Sequence, residues 1–469
     1  MSRPSRQLAP VYQHAWVYYL VGALIFCALF FTPMQGIFSD AAQRTIAVFG
    51  VAAFFWISGA LPMAVTGLLV LLLLPMTGAI STSQTYSSFG NSAVFFVLGA
   101  FILASPVMRS GLSTRVAVRL LSRFGHGPIR LLLTIFLLSS FAAFFISEHA
   151  VAAMLYPICV EIVKAAKEKQ GSRFAFCTFL AMGWGAIIGG TATLLGGARA
   201  PLALGMMEAA THKSISFIQW FVFCIPIVLV VMAVSFLVIY FLARRCKVAL
   251  SAAHAQLEVH RTALGTFSAR EKRTVFVVVL TVILWIVFGR DIGLDMVAFF
   301  GVILAFVLRI TSWDEVQEDV QWSIFIMYGS AIALSAALRD TGAANDLVKL
   351  IVQSGLSDPI WLFVAFVILA GVLTEAMSNA AAVAVLMPIA LVIATQFGID
   401  PRAITVAIAT SAGLTFLLPV STPAMAIMTN SPYVHAQKAM AWGVVSKVIG
   451  VVVILVFAFY YWPLLGLSI

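Results

Sequence analysis

Charge is what this sequence has least of. Asp, Glu, Lys and Arg make up only 10% of its 469 residues, while 62% are hydrophobic. Soluble domains carry about 25% charged residues, so the composition excludes an ordinary soluble protein. Acid is scarcer than base: 18 Asp and Glu against 28 Lys and Arg leave a formal net charge of +10. Cysteine is also scarce. Cys27, Cys159, Cys177, Cys224 and Cys246 lie in or beside apolar runs without paired spacing. That pattern excludes a disulfide framework and a cysteine metal site, and reads as small buried hydrophobes. No usable Asn-x-Ser/Thr acceptor is present, as suits a bacterial plasma membrane. Gly189-Gly190 lacks the Gly-Lys-Ser/Thr ending of a phosphate loop. With no nucleophile–base pair or metal cluster either, an enzyme is not expected.

What is present is a series of apolar runs. A membrane span needs about 20 apolar residues, and runs of that kind recur near 15–32, 44–58, 62–80, 91–108, 174–208, 216–243, 274–289, 294–310, 321–338, 402–430 and 440–466. The first has no small-residue cleavage site after a short core and reads as a span rather than a signal. Two more apolar stretches, 128–163 and 359–397, are split by polar motifs at their middles. The fold expected is an all-α polytopic membrane protein of about 11 transmembrane helices.

The split stretches carry a repeat. Ser147-Glu148-His149 precedes an Ala-rich run ending in Pro157-Ile158, and Ser378-Asn379-Ala380, 231 residues later, precedes one ending in Pro388-Ile389. The same offset superposes Gly111 on Gly342, Pro128-Ile129 on Pro359-Ile360 and Leu155 on Leu386. Duplication in a membrane chain points to a transporter, and the polar tripeptides to its binding site.

Positive charge sets the orientation. Arg3 and Arg6 precede the first span; Arg109, Arg115, Arg119, Arg123 and Arg130 fill an amphipathic stretch without acid. Lys164, Lys167, Lys169 and Arg173 fill the next loop, and 244–273 holds Arg244, Arg245, Lys247, Arg261, Arg270, Lys272 and Arg273. All fall on the cytoplasmic side if the N-terminus is inside and the C-terminus outside, which is the positive-inside pattern and not a nucleic-acid face. The equivalent of the first basic stretch, 339–358, sets Arg339 and Lys349 against Asp340, Asp346 and Asp358. Opposite charge bias in equivalent segments implies inverted repeats. Residues 128–163 must then leave from and return to the cytoplasm, and 359–397 the outside, so both read as re-entrant hairpins. Non-helical backbone at that depth survives only inside protein or beside a watery cavity.

Two further spans are broken by polar, Gly/Pro-rich segments, Gly189-Gly190-Thr191-Ala192-Thr193-Leu194-Leu195-Gly196-Gly197-Ala198-Arg199-Ala200-Pro201 and Leu418-Pro419-Val420-Ser421-Thr422-Pro423-Ala424-Met425. Each follows its hairpin, and discontinuous helices in matching positions mark a transport site. His14, His126, His254 and His260 read as solvated flanks, Glu375 as a local structural pair, Trp184 and Trp220 as packing or interfacial anchors, and Asn91 as a helix cap.

These motifs resemble the divalent anion/sodium symporter family, whose hairpin tips read Ser-Asn-Thr and whose breaks resemble Gly189–Gly196 and Leu418-Pro419-Val420 with Thr422-Pro423. The resemblance covers nearly the whole chain. It implies a homodimeric elevator in the plasma membrane: N-terminal scaffold spans (1–90), a first repeat (91–243), a cytoplasmic linker (244–273), scaffold spans (274–320) and a second repeat (321–469). It implies a substrate pocket of Ser147, Glu148, His149, Arg199, Ser378, Asn379, Ala380, Thr422 and Pro423. A sodium site of Thr374, Ser378, Asn379 and Ser421 is retained. The first cation site, around Ser147, Glu148 and Gly196, is altered: Glu148 and His149 replace Asn and Thr, Ala143 replaces a Ser, and Ala198-Arg199-Ala200 replaces Pro-Pro-Asn. Pro423-Ala424-Met425 loses the second Asn.

A charge at membrane depth costs roughly 2.5–3.5 kcal/mol, so Glu148 and Arg199 are expected to pair. Arg199 then replaces the first sodium, or Glu148 or His149 takes a proton in its place, or Arg199 clamps an anion directly. A fourth reading is a static pair holding the tip to the broken helix. The function expected is secondary transport of a di- or tricarboxylate-like anion coupled to Na+ and needing no other cofactor, with lipid as its surroundings. Proton-coupled transport, sodium-free anion exchange, a Na+/H+ antiporter and the membrane subunit of an anion pump remain alternatives.

Overall fold

The computed structural model describes residues 15–469 apart from 35, 354 and 356, so Arg3, Arg6 and His14 lie outside the described residues. Helices make up the described architecture. They run α1 (Ala15–Phe31), α2 (Asp40–Ser58), α3 (Met63–Met76), α4 (Thr82–Ser87), α5 (Ser92–Arg109) and α6 (Leu112–Phe124). Next come α7 (Pro128–Ala142), α8 (Glu148–Ala165), α9 (Arg173–Gly189), α10 (Arg199–Thr211), α11 (Phe217–Ala243) and α12 (Ser251–Ala263). The order continues with α13 (Ala269–Phe288), α14 (Leu294–Val307), α15 (Trp313–Asp319), α16 (Trp322–Asp340) and α17 (Ala343–Gln353). It closes with α18 (Pro359–Ala376), α19 (Asn379–Phe397), α20 (Pro401–Gly413), α21 (Pro423–Thr429) and α22 (Ala436–Tyr460).

Among the described residues seven helices are long and apolar enough to cross a membrane: α2, α5, α11, α16, α18, α19 and α22. The other apolar runs are shorter, as at Met63–Met76, Arg173–Gly189 and Leu294–Val307. Chain breaks account for part of this difference. The expected spans at 174–208 and 402–430 are each two helices interrupted by coil, at 190–198 and 414–422.

One order of elements recurs along the chain. A long helix (α5, α16), an amphipathic helix (α6, α17), two hairpin arms (α7 and α8, α18 and α19), a broken helix (α9 and α10, α20 and α21) and a long helix (α11, α22) occur twice in that order. Local chemistry sets many of the boundaries. Pro128, Pro359, Pro401 and Pro423 start helices, where a missing N–H costs nothing. Ser216 with Gln219 and Ser268 with Glu271 form capping boxes, and Asn91 Oδ1 accepts from the Ala93 N–H.

The two broken helices form the core. Every residue of α9 from Phe174 to Gly189 is buried, as is every residue of α20 except Arg402. A helix apolar all round must be enclosed. Both arms of the first hairpin pack on α9, and both arms of the second on α20. Close approach is built in: Gly189 lies against the Ser140 backbone, where a Cβ would collide. The outer helices instead turn Phe276, Ile283, Phe300, Ile303 and Val448 outward, as a lipid-facing surface requires.

Buried and half-buried ion pairs gather one end of the bundle. Arg109 at the end of α5 grips Asp319 (2.6 Å) and Glu318 (2.7 Å) of α15. Arg270 reaches Glu315 of α15 at 2.7 Å, and Arg115 of α6 pairs with Glu271 at the start of α13 at 2.5 Å. Thus segments assigned to one face by charge counting are in direct contact. We call this the basic end.

The linker has structure of its own, and the solvated reading of its histidines and the buried reading of Cys27 need correction here. The 244–273 linker contains α12, which packs on α6 and α8. Its Ala253 and Leu257 are buried, so the helix forms because one stripe has an apolar surface to cover. The histidines there are not freely solvated. His254 Nε2 lies 2.7 Å from the Gly125 carbonyl and its ring stacks on His126 at 4.9 Å, while His260 Nδ1 lies 3.4 Å from Glu161. Of the cysteines, Cys159, Cys177 and Cys224 are buried, but Cys27 is exposed on the apolar helix α1.

Candidate functional site

Each hairpin turns through a serine. Ser378 is the N-cap of α19, and its hydroxyl accepts from the Ala381 N–H at 3.3 Å while donating to Met63 Sδ at 3.0 Å. Ser147 holds the same position on α8 but makes no cap bond. Its Oγ instead lies 3.2 Å from His149 Nε2, which also contacts the Gln321 amide. His149 therefore engages the serine that, by analogy with Ser378, would cap the helix.

Glu148 and Arg199 do meet. Arg199 Nη1 donates to Glu148 Oε2 at 3.0 Å and Nη2 to Thr191 Oγ1 at 2.9 Å. The other carboxylate oxygen accepts from Thr422 Oγ1 at 2.7 Å, and the Glu148 N–H donates to the Gly196 carbonyl at 2.9 Å. One carboxylate thus joins its own hairpin tip to both broken helices. Arg199 is only 2% exposed and Glu148 4%. Burial of such a pair is tolerable only when both ends are also hydrogen-bonded, as they are here. Glycine makes the room: a Cβ on Gly197 or Gly413 would collide with the guanidinium.

The second half is built differently. Asn379 Oδ1 and the Ala412 carbonyl each lie 2.8 Å from Thr374 Oγ1, which gathers three hard oxygens behind the tip. Ser421 Oγ donates to the Leu418 carbonyl at 2.7 Å. Glu375 is buried, but its partners lie outside its hairpin. The carboxylate accepts from the backbone N–H groups of Phe416, Leu417 and Leu418 at 3.0–3.2 Å. Lys447 of α22 stands 3.2 Å from it and donates to the Leu414 carbonyl at 2.6 Å. These bonds satisfy backbone groups that the break at 414–422 leaves without helical partners.

The two tips and the two breaks surround one cavity of about 110 Å³. Ser147, Glu148, His149, Arg199, Ser378, Asn379, Ala380, Thr422 and Pro423 all line it, as does Ser421. Thr374 and Gly196 stand behind the wall, reaching it through Asn379 and Glu148. The cavity's remaining walls include Met63, Phe101, Gln321 and Ile324. Sequence reasoning missed Lys447, Thr191, Gln321 and Met63. Lys447 had a signal, a single cation deep in the apolar run 440–466. Met63 and Gln321 had none, because only the fold brings them to the tips. Trp184 and Trp220, read as packing or interfacial anchors, are fully buried.

Residues 13–468 match the family described as the sodium:sulfate symporter transmembrane region. The chain belongs to that family. Its members are membrane transporters and not enzymes, and the chain is a multi-pass membrane protein of that kind. It is 29% identical to a sodium-dependent dicarboxylate transporter, SdcS, of Staphylococcus saprophyticus, over 96% of this chain and 92% of that one. The corresponding SdcS of Staphylococcus aureus is 27% identical over the same shares. Two solved transporters share the fold at low identity. MtrF of Neisseria gonorrhoeae aligns with a TM-score of 0.60 and 13% identity over 86% of this chain and 97% of its own. YdaH of Alcanivorax borkumensis aligns at 0.56 and 16% over 81% and 86%.

Proposed function

We propose that this chain carries a small divalent anion, of the dicarboxylate class, across the plasma membrane by sodium-coupled secondary transport, with Arg199 as a fixed cation in place of one coupling sodium. The first part is supported by the relatives, which are named as sodium-dependent dicarboxylate transporters. The second rests on one observation: the guanidinium bridges the first hairpin tip and the first helix break through Glu148 and Thr191. A cation there neutralises the tip carboxylate and holds the break closed. Direct clamping of substrate by Arg199 fits less well, since two of its nitrogens already donate to protein and it is almost fully buried.

Sodium is then expected in the second half, at Thr374 Oγ1, Asn379 Oδ1 and the Ala412 carbonyl, with Ser378 and Ser421 nearby. Hard oxygens of this kind suit an alkali cation. Substrate meets the hairpin tips at Ser147, His149, Ser378, Asn379 and Ala380, where the starts of α8 and α19 offer backbone N–H groups to an anion. The two repeats are inverted, the N-terminus and the basic end are cytoplasmic, and the hairpins with their broken helices move as one unit past a dimeric scaffold.

The test is uptake of radiolabelled dicarboxylate by proteoliposomes carrying Arg199→Lys or Glu148→Gln. Both changes should cut uptake at least about tenfold, because a charge-assisted bond worth roughly 1.5–3 kcal/mol is lost. Near-normal transport with unchanged ion dependence in both variants would remove Arg199 from the mechanism.

A further inference from the structure

A cavity larger than the one between the hairpin tips, of about 430 Å³ against 110 Å³, lies among the first turn of α9, the last turn of α11 and the start of α22. Two of these helix ends belong to the basic end, since α11 runs into α12, which packs on α6, and α8 leads into α9 beside it; the cavity sets the start of α22 next to them.

Its chemistry is two-sided. Arg173, His435 and Lys438 supply cationic or titratable donors, and no acidic side chain lines it. Arg173 and Lys438 have no carboxylate partner among the described residues, and both are exposed. Arg244 adds a third cation at the rim, stacked 5.1 Å over the Phe241 ring. Below this the wall turns aromatic. Phe241 is 57% exposed and Trp442 41%, on helices whose neighbouring faces are apolar. Unpaired cations above an outward-facing Trp and Phe match the headgroup level of a bilayer, where basic residues meet phosphate and aromatic rings meet acyl chain. The volume falls within the roughly 300–1,000 Å³ of small-molecule sites, ample for a headgroup with its first chain carbons.

We infer that this cavity binds the phosphodiester headgroup of an anionic inner-leaflet phospholipid, with Arg173 and Lys438 on the phosphate and Phe241 and Trp442 against its acyl chain. The lipid ties the start of α9, which leads to the first break, to the start of α22, which carries Lys447. The inference does not depend on which substrate or coupling ion the transport site takes.

The test is thermal unfolding of the full chain in detergent, titrated separately with phosphatidylglycerol, phosphatidylcholine and inorganic phosphate. Phosphatidylglycerol should raise the midpoint, through mass action on the folded state, while the other two leave it unchanged. In Arg173→Gln/Lys438→Gln the half-maximal lipid concentration should rise about 30-fold, from about 1 kcal/mol per cation near an anionic surface. Arg123→Gln, an exposed arginine of α6, should respond like the parent, and Arg173→Lys/Lys438→Arg should keep the response if the double glutamine variant does not fold. Equal stabilisation by phosphatidylcholine, full reproduction by inorganic phosphate, or an unchanged response in the double variant would each overturn the proposal.

Discussion

In the first half of the molecule the buried carboxylate, Glu148, follows the tip serine directly; in the second, Glu375 stands one helical turn before it. That shift changes what each carboxylate can reach. Glu148 faces the cavity and is held by side chains, from Arg199 and Thr422. Glu375 faces away from it and is held mainly by backbone, through three N–H groups of the break. Lys447 then completes a structural staple, separate from the oxygens that Thr374, Asn379 and Ala412 gather behind the tip. In the first half one residue serves as staple and cavity wall together, and the oxygens around it, from Thr191 and Thr422, are engaged by Arg199 and Glu148 themselves. On the proposed function, the ion pair behind the tip leaves room for an exchangeable cation, and the ion pair at the tip stands in for one.

The comparison can be broken most severely at Arg199. Arg199→Met leaves Glu148 buried without its cation, and about 3–5 kcal/mol of stability should be lost. Adding Glu148→Gln should recover much of that, a non-additivity that a double-mutant cycle of thermal midpoints would measure. Lys447→Met should cost less, about 1–3 kcal/mol, because Glu375 keeps its backbone donors. If Lys447→Met proves the more damaging, the two pairs do not differ as described. Thr374→Val should leave folding nearly intact but weaken sodium activation of uptake by at least about tenfold, the scale on which metal sites respond to lost oxygen partners. An unchanged sodium response would move the cation elsewhere.

The smallest effect is expected away from both halves, at the α15 anchor. Burial alone would raise the Glu315 carboxyl, but the hydrogen bonds and charge of Arg270 outweigh it and hold it below the usual value. A carboxylate lowered in the folded state stabilises fully above its unfolded value of about 4.3, and that gain disappears as pH falls through the folded value. Glu315→Gln should therefore lower the midpoint slightly at pH 7, by under about 1 kcal/mol, and flatten the acid limb below pH ~4.

Much of this layout was legible from residues alone. Ser147 and Ser378 announced the hairpin tips, Gly189-Gly190 and Leu418-Pro419 marked the breaks, and two isolated charges of opposite sign, Glu148 and Arg199, demanded one another. Less was legible where the partner is remote and chemically ordinary. Nothing local tells that Thr422, 274 residues from Glu148, completes its shell, or that Met63 receives the Ser378 hydroxyl. Hydropathy did not show which spans are continuous, since it sums across breaks, as at 190–198 and 414–422, that the backbone does not cross as one helix. His149 was legible as a departure, but its contact with Gln321 was not, because that glutamine sits in the short turn between α15 and α16 with no motif of its own.

If Arg199 has taken the place of one sodium, the sodium dependence of uptake carries the signature. Initial rates in proteoliposomes should rise with sodium as a single-site hyperbola in the native chain. The triple change Glu148→Asn/Arg199→Pro/Ala200→Asn, which restores amides to the tip and the break, should turn that curve sigmoidal as a second sodium binds. A native curve that is already sigmoidal, or a triple variant that transports with the same hyperbola, would contradict the account.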